Sequence, residues 1–211
     1  MKNSKRILAL LIIAGLCACG KPDAASVPSG TAVTASGSTQ PISHGQPAVS
    51  RAEPLNAAPL GVEVGYANLE GVKAKFSGIT KLENDGINKY SGGPMLSSNG
   101  DGVGLDGLSN LTFIFGKDNV LAAVLMILPK NPTDVFAKLS GKYQVVDNKI
   151  DQFMNYGTAK LEKGETVVVI ESTHLSSVMG VVYQTKQFAD EAQRRNEIDE
   201  KQKRQDQTNK L

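Results

Sequence analysis

The stretch that decides the fold is LTFIFGKDNVLAAVLMIL at residues 111–128, which has the pattern of an apolar hairpin. Apolar residues alternate over 111–115, as in a strand with one buried face. Residues 116–119 (Gly-Lys-Asp-Asn) have the composition of a turn. The run over 120–128 fits a helix or a strand covered on both faces, but the turn before it and Pro129 after it favour a hairpin.

Two helices and several shorter strands are predicted around this hairpin. Asn68 predicts the N-cap of a helix that ends near Phe76, and Asn131 that of a second helix that ends near Gly141. Strands are predicted at 60–64 and 79–83 before the hairpin, and at 153–161, 166–171 and 177–184 after it. The predicted fold class is α+β, an antiparallel sheet with two packed helices.

The two predicted helices share a short internal repeat. VKAKFSG at 72–78 matches VFAKLSG at 135–141 at five of seven positions. A duplicated β-α-β-β unit explains the match, and coincidence between two short amphipathic helices is the alternative. A duplicated unit of this kind is similar to tandem α/β inhibitor proteins, and that resemblance implies an inhibitor of an envelope enzyme as one reading.

The composition divides the chain into segments. All the Phe and Tyr residues lie between Tyr66 and Phe188, whereas six of the nine prolines precede residue 60. Residues 20–59 are rich in Ser, Thr, Ala, Pro and Gly, so buried apolar surface cannot offset the entropy of ordering them. The prediction is a signal at 1–18, Cys19 and a disordered tether over 19–59, an α+β domain over 60–185 and a charged helix over 186–211.

The N-terminus has the pattern of a secretory signal. Basic residues at positions 2, 5 and 6 precede ten apolar or small residues at 7–16, too short a stretch to span a bilayer. The following Leu16-Cys17-Ala18-Cys19 resembles the lipobox of bacterial lipoprotein precursors, with Cys17 departing from the usual residue at its place. The resemblance implies cleavage by signal peptidase II before Cys19, which then carries diacylglycerol on its thiol and an acyl chain on its amine. It also implies the periplasmic face of the outer membrane, with a lipid anchor in the cell membrane as the alternative.

Charge and cysteine content exclude several classes of function. Removal of the signal's three cations changes the formal net charge from +2 to −1. Nucleic-acid binding therefore has no electrostatic support. Two cysteines and two histidines support neither a disulfide framework nor a His-rich metal site, and no cofactor or metal is predicted.

The glycine-rich stretch at 92–107 is the first candidate contact site. Its acidic spacing does not fit an EF-hand, and no Lys-Ser or Lys-Thr follows it in the P-loop position. A long loop between two elements explains the stretch, and such loops are often recognition surfaces. The candidate partner-contact residues are Gly100, Asp101, Val103, Leu105 and Asp106.

Catalytic readings have less support. His174 lies among Ser and Thr residues, but neighbours on a turn point apart and the chain has no Gly-x-Ser-x-Gly elbow. Acidic residues at 147, 151, 162, 165 and 171 are interleaved with Lys160 and Lys163, as on a solvated hairpin. No catalytic residue is predicted.

The C-terminal segment is predicted to be a charged helix. Acidic residues precede basic ones by four positions in repeated pairs, each contributing about 0.3–0.5 kcal/mol. Phe188 and Ala192 can anchor the first turns, and Ile198 is the only strongly apolar residue between them and Asp206. Phe188 and Ile198 are the candidate contacts if this helix docks on a partner.

The function that this pattern favours is a membrane-anchored, periplasm-facing lipoprotein that acts as a non-catalytic protein-binding or scaffolding module of the envelope. Its expected partners are the membrane, through Cys19, and an envelope protein. An enzyme inhibitor and a small-ligand carrier are the alternatives, and an envelope hydrolase has the least support.

Overall fold

The computed structural model describes residues 47–209. Cys19, the predicted signal and most of the predicted tether lie outside the described residues. The described part forms eight strands and three α-helices. Their bounds are α1 Leu69–Phe76, β1 Glu83–Ile87, β2 Gly92–Ser98, β3 Asn110–Gly116, β4 Leu121–Pro129, α2 Pro132–Ser140, β5 Gln144–Asn148, β6 Gly157–Lys163, β7 Thr166–Ser172, β8 Val178–Thr185 and α3 Lys186–Thr208.

The strands form one antiparallel sheet in the order β1-β2-β3-β4-β8-β7-β6-β5. The predicted α+β class, the central hairpin of β3 and β4 and the C-terminal helix are therefore confirmed. The element order repeats as one helix followed by four strands, and the two repeats meet where β4 pairs with β8. This unit is longer than the predicted β-α-β-β unit, but the similar heptapeptides do lie at equivalent places in α1 and α2.

Strand register sorts the side chains onto two faces. One row of paired residues crosses the whole sheet on the core face: Asn84, Leu96, Phe113, Val124, Tyr183, Val168, Leu161 and Val145. Phe113 and Val168 are fully buried, and Phe76 of α1 lies 5.1 Å from the Phe113 ring. The half-buried apolar residues of α2 also pack against this core.

Asparagine side chains begin both packed helices, as predicted. Asn68 Oδ1 accepts a hydrogen bond from Gly71 N at 2.8 Å, and Asn131 Oδ1 accepts one from Asp134 N at 3.3 Å. Each bond satisfies an amide that the first helical turn leaves without a partner.

The predicted tether boundary at residue 59 is wrong, because residues 47–59 pack against the domain. Ala57 is fully buried, and Glu63 Oε1 accepts hydrogen bonds from Leu55 N and Asn56 N at 3.1 and 3.2 Å. Val64 N donates to Ala57 O at 3.0 Å. These contacts join a segment with the composition of a tether to the apolar domain that follows it. The change in composition near residue 59 therefore does not mark the start of the fold.

Several strand predictions also differ from the structure. Residues 60–64 begin inside a 3-10 turn, Pro59–Gly61, and continue as irregular chain, because their backbone amides bond to residues 49 and 57 rather than to a strand. The strand predicted at 79–83 begins only at Glu83, and β2 occupies the first part of the stretch predicted as a glycine-rich loop. The strand predicted from residue 153 begins at Gly157, after a turn closed by Asp151.

Candidate functional site

The glycine-rich connection lies between β2 and β3 and is shorter than predicted, at residues 99–109. Gly100 is buried, and its N–H donates to Ser98 Oγ at 3.1 Å, so it is not an accessible contact as predicted. Val103 is half-buried against the core. Only three of the five predicted contacts are exposed on this loop: Asp101, Leu105 and Asp106.

The acidic side chains of this loop do not converge. Asp101 Oδ2 accepts a hydrogen bond from its neighbour Asn99. Within residues 47–209, no group of three or more His, Cys, Asp or Glu side chains is placed to hold a metal ion. The loop thus offers a surface rather than a charged cage.

His174 lies on the turn between β7 and β8 and is exposed. Its ring contacts Tyr156 edge-on at 5.3 Å, and its carbonyl oxygen accepts a hydrogen bond from Lys130 Nζ at 3.1 Å. Two of the five carboxylates considered for catalysis form surface ion pairs: Asp147 lies 2.9 Å from Lys149, and Glu162 lies 3.5 Å from Lys160 and 3.3 Å from Lys186. A third, Asp151, accepts hydrogen bonds from the backbone of its own turn.

Helix α3 lies across the strands at one end of the sheet. At its start Lys186 reaches Glu162 of β6, and further along Asp199 reaches Lys89 in the β1–β2 turn at 3.2 Å. Phe188 is buried and meets Tyr90 edge-on at 6.3 Å. Phe188 is therefore an internal anchor rather than the predicted partner contact, whereas Ile198 is exposed.

Four buried apolar residues lie outside the main core. They are Ala123 of β4, Val167 of β7, and Phe188 and Ala192 of α3. Register places Ala123 and Val167, with Gln184 of β8 between them, on the sheet face opposite α1 and α2. We infer that α3, which contacts β7 and β8, covers this end of that opposite face.

Beyond α3 the same face remains partly open to solvent. A row of paired residues crosses it as Glu83, Ser97, Thr112, Leu125, Val182, Val169, Lys160 and Asp147. Its apolar centre, together with Ile127, is half-buried and belongs to neither buried cluster. We call Leu125, Ile127, Val169 and Val182 the open face.

One carboxyl group borders the open face. Glu171 pairs with Gly180 across β7 and β8, beside Ile127. Its side chain is half-buried, and this burial raises the pKa of Glu171 above its ordinary value. A carboxyl group held in a partly apolar setting marks the boundary of a surface from which water is already partly excluded.

A cleft of about 670 Å³ lies at the end of the sheet near the start of α3. Polar and charged side chains line much of it: Asn56, Tyr90, Lys117, Asp118, Lys186 and Glu191. The cleft is open rather than enclosed, and both signs of charge meet in it.

Sequence reasoning missed the open face and a group of apolar loop residues, Phe153, Met154 and Leu175. The apolar run over 166–171 predicts a strand, but not which of its faces the helices cover. The predicted strand 153–161 begins at Phe153, although Asp151 two residues earlier is a turn-forming residue and is the available signal against it.

Comparison with known proteins identifies no relative: no protein family, curated protein or solved structure matches the chain. None of the helices described between residues 47 and 209 is long and apolar enough to cross a membrane.

Proposed function

We propose that this chain is a membrane-anchored, periplasm-facing lipoprotein and that its domain is a non-catalytic protein-binding module. The open face carries the proposal. Leu125, Ile127, Val169 and Val182 form an apolar patch in the middle of the sheet, where buried residues would be expected. Apolar patches rimmed by polar residues mark interaction sites in folded proteins.

The occupant that fits the open face best is an amphipathic helix of an envelope protein. The chain's own α3 supports this choice, because it lies across the strands on the same face through Phe188 and Ala192. Strand β4 has nine residues and so spans about 30 Å, whereas a packed helix covers about 10 Å. A second helix can therefore pack beside α3.

The rim of the open face sets the polarity of that helix. Thr112 and Ser97 lie on one side, and Lys160 and Glu171 lie on the other. Such a rim satisfies the polar groups of a helix at its borders while the apolar centre excludes water. Anchoring rests on the lipobox resemblance at Cys19, and the anchor holds the module beside its partner at high local concentration.

The proposal is tested by a photo-crosslinking amino acid at Val169 in the full chain, with the same probe at Ile87 as control. Ile87 is 67% exposed on the edge strand β1, away from the open face. The expected result is one dominant partner from Val169 alone, crosslinked through the apolar side of an amphipathic helix. A synthetic peptide of that helix should compete, and Val182→Lys should abolish the crosslink while leaving the melting curve intact.

Three outcomes would contradict the proposal. The first is capture of the same set of proteins by both probes, and the second is capture of lipid alone by the probe at Val169. The third is a crosslink to a partner segment that has no apolar face, which would mean that the open face does not select a helix.

A small-ligand carrier is the second candidate, and the cleft near α3 is the observation that favours it. Lys117, Lys186 and Glu191 are among the residues that line it. A native mass spectrum of the purified full chain that shows a co-purified small molecule, lost on Lys186→Ala, would favour this function over protein binding.

A further inference from the structure

Three apolar side chains project from the end of the sheet opposite α3. Phe153 is 100% exposed and Met154 52% exposed on the β5–β6 loop, and Leu175 is 94% exposed on the β7–β8 turn. We call these residues the apolar tips. Isolated exposed apolar residues are common, but three on two neighbouring loops form a feature that needs a partner.

The two loops are held side by side. The Tyr156 and His174 rings, one in each loop, meet edge-on at 5.3 Å. Lys130 Nζ donates to His174 O at 3.1 Å, and Thr133 Oγ1 bonds Asn155 Oδ1 at 3.3 Å. Both loops are thus tied to the start of α2, and the apolar tips share one platform.

In the turn that carries Phe153 and Met154, four of the five amide groups of residues 151–155 have a hydrogen-bond partner within the turn. Asp151 Oδ1 accepts hydrogen bonds from Phe153 N and Met154 N, both at 2.9 Å. Asp151 O accepts a bond from Asn155 N, and Asp151 N donates to Tyr156 O, each at 2.8 Å. Amide groups with internal partners can enter an apolar medium without the cost of losing water.

We infer that the apolar tips insert into the interfacial region of a lipid bilayer and seat the domain on the membrane surface. Their shape favours lipid over protein, because protein hot spots lie in packed patches surrounded by a rim, whereas Phe153 and Leu175 have almost no neighbours. Lys130 and Lys149 lie at the same end. Lys130 Nζ donates to His174 O and Lys149 Nζ lies 2.9 Å from Asp147, and the remaining N–H donors of each ammonium group can bind lipid phosphates. The apolar tips therefore have the chemistry of an interfacial contact.

This inference rests on the proposed lipid anchor, and the lengths involved are compatible. Ala48 bonds to Asn68 at the start of α1, and Leu69 N bonds to Asn119 O, so the chain enters the domain at the end opposite the apolar tips. The distance to cross is about 30 Å, the length of a nine-residue strand. The stretch from Cys19 to Pro47 can span up to about 90 Å, so anchor and apolar tips can contact one membrane.

The chain has no tryptophan, so one introduced Trp is a unique fluorescent reporter. The full chain is reconstituted as Phe153→Trp, Leu175→Trp or the control Ile87→Trp in phosphatidylethanolamine–phosphatidylglycerol vesicles with brominated acyl chains. We expect a blue shift and roughly twofold quenching at positions 153 and 175, and neither at 87. In the Leu175→Trp chain, Phe153→Ser should reduce the quenching, because the two loops insert together.

Flotation with the vesicles and the mass of the N-terminal peptide report the anchor independently of the apolar tips. A lipidated chain that floats without quenching at 153 and 175 overturns the inference and leaves the anchor intact. A blue-shifted tryptophan emission that brominated lipid does not quench indicates burial against protein or against a second copy of the chain. That result also overturns the inference. Quenching in a chain without lipid on Cys19 supports the apolar tips and contradicts the proposed anchor.

Discussion

The two repeats of this domain have the same topology but differ in how completely their helices are buried. In α1 the side chains of Val72 and Phe76 are buried, whereas the matching residues of α2, Val135 and Leu139, are half-buried. The first repeat is closed by residues 47–67, whose Val62, Val64 and Ala67 are fully buried in the core. The same segment meets the second repeat at the β6–β7 turn, where Glu165 N donates a hydrogen bond to Asn56 Oδ1 at 2.9 Å.

This difference separates stability from recognition. The large apolar residues that remain exposed lie mainly in the second repeat: Val145, Val146, Phe153, Met154, Leu175 and Val178. Among the described residues, the first repeat exposes Ile79, Ile87 and Leu105, and the segment that closes it exposes Leu55. A duplicated fold can therefore keep one copy closed as a scaffold, while the other exposes apolar surface to partners.

Truncating equivalent helix residues tests the comparison with the largest expected effect. Phe76→Ala removes a ring that is 2% exposed and lies 5.1 Å from the Phe113 ring at a tilt of 46°, so we expect a loss of about 3–5 kcal/mol in the free energy of unfolding. Leu139→Ala, at the same place in α2, should cost about 1–2 kcal/mol, because solvent already reaches the side chain. Urea denaturation of both variants measures the two values.

Equal losses for Phe76→Ala and Leu139→Ala would contradict the comparison, since they would mean that α2 is as firmly packed as α1. Val72→Ala and Val135→Ala form a second matched pair that changes less volume. Their order should be the same, with Val72→Ala the more destabilising.

The sequence predicted the features of this fold that depend on neighbouring residues. Asn68 and Asn131 cap their helices, the central hairpin lies where its turn residues placed it, and α3 follows its ion-pair spacing. Strands β1 and β5 were not recognised because every residue in them is exposed, so they show no apolar alternation. They form only because an inner strand is available for pairing.

The candidate site depended on long-range contacts and was therefore predicted poorly. Leu125 and Val182 were assigned to strands, but their half-open state follows from the position of α3, which no local pattern reveals. The local sequence around Gly100 and Phe188 predicts contact with a partner, but the fold buries both residues. Residues 47–59 join the domain partly through the buried carboxylate of Glu63, which a composition argument cannot detect.

Substitution of the glycines that end the two matching heptapeptides should change stability in opposite directions. Gly78 has φ +77°, a left-handed conformation that penalises any Cβ atom, whereas Gly141 has φ −74°. We expect Gly78→Ala to cost about 1 kcal/mol and Gly141→Ala to gain about 0.4–1 kcal/mol by restricting the unfolded chain. Thermal melting of the two variants beside the unaltered chain measures the difference.

Neither Gly78→Ala nor Gly141→Ala introduces a steric clash, so the two variants compare backbone conformation alone. No atom lies within 4 Å of the Cβ position at Gly78, and only Lys138 O lies near that at Gly141, at 3.9 Å. A loss of stability at both positions would show that the two helices end alike in solution.

The smallest expected effect is a pH dependence of opposite sign in the two repeats. Burial raises the pKa of Glu171 in β7, so the folded state favours the protonated form of this carboxyl group. The stability that Glu171 contributes is therefore present below the unfolded pKa and is lost as pH rises through the folded pKa. Glu171→Gln should therefore stabilise the chain by less than about 1 kcal/mol at neutral pH, and the gain should vanish near pH 4.

In the first repeat, a hydrogen bond from Lys81 lowers the pKa of Glu83, so the stability that Glu83 contributes is present at neutral pH and is lost on acidification. Glu83→Gln should thus destabilise slightly, and urea titrations of both variants between pH 4 and pH 7 should diverge as pH rises. Parallel titrations would mean that Glu171 is as well solvated as Glu83, and that the open face does not exclude water even partly.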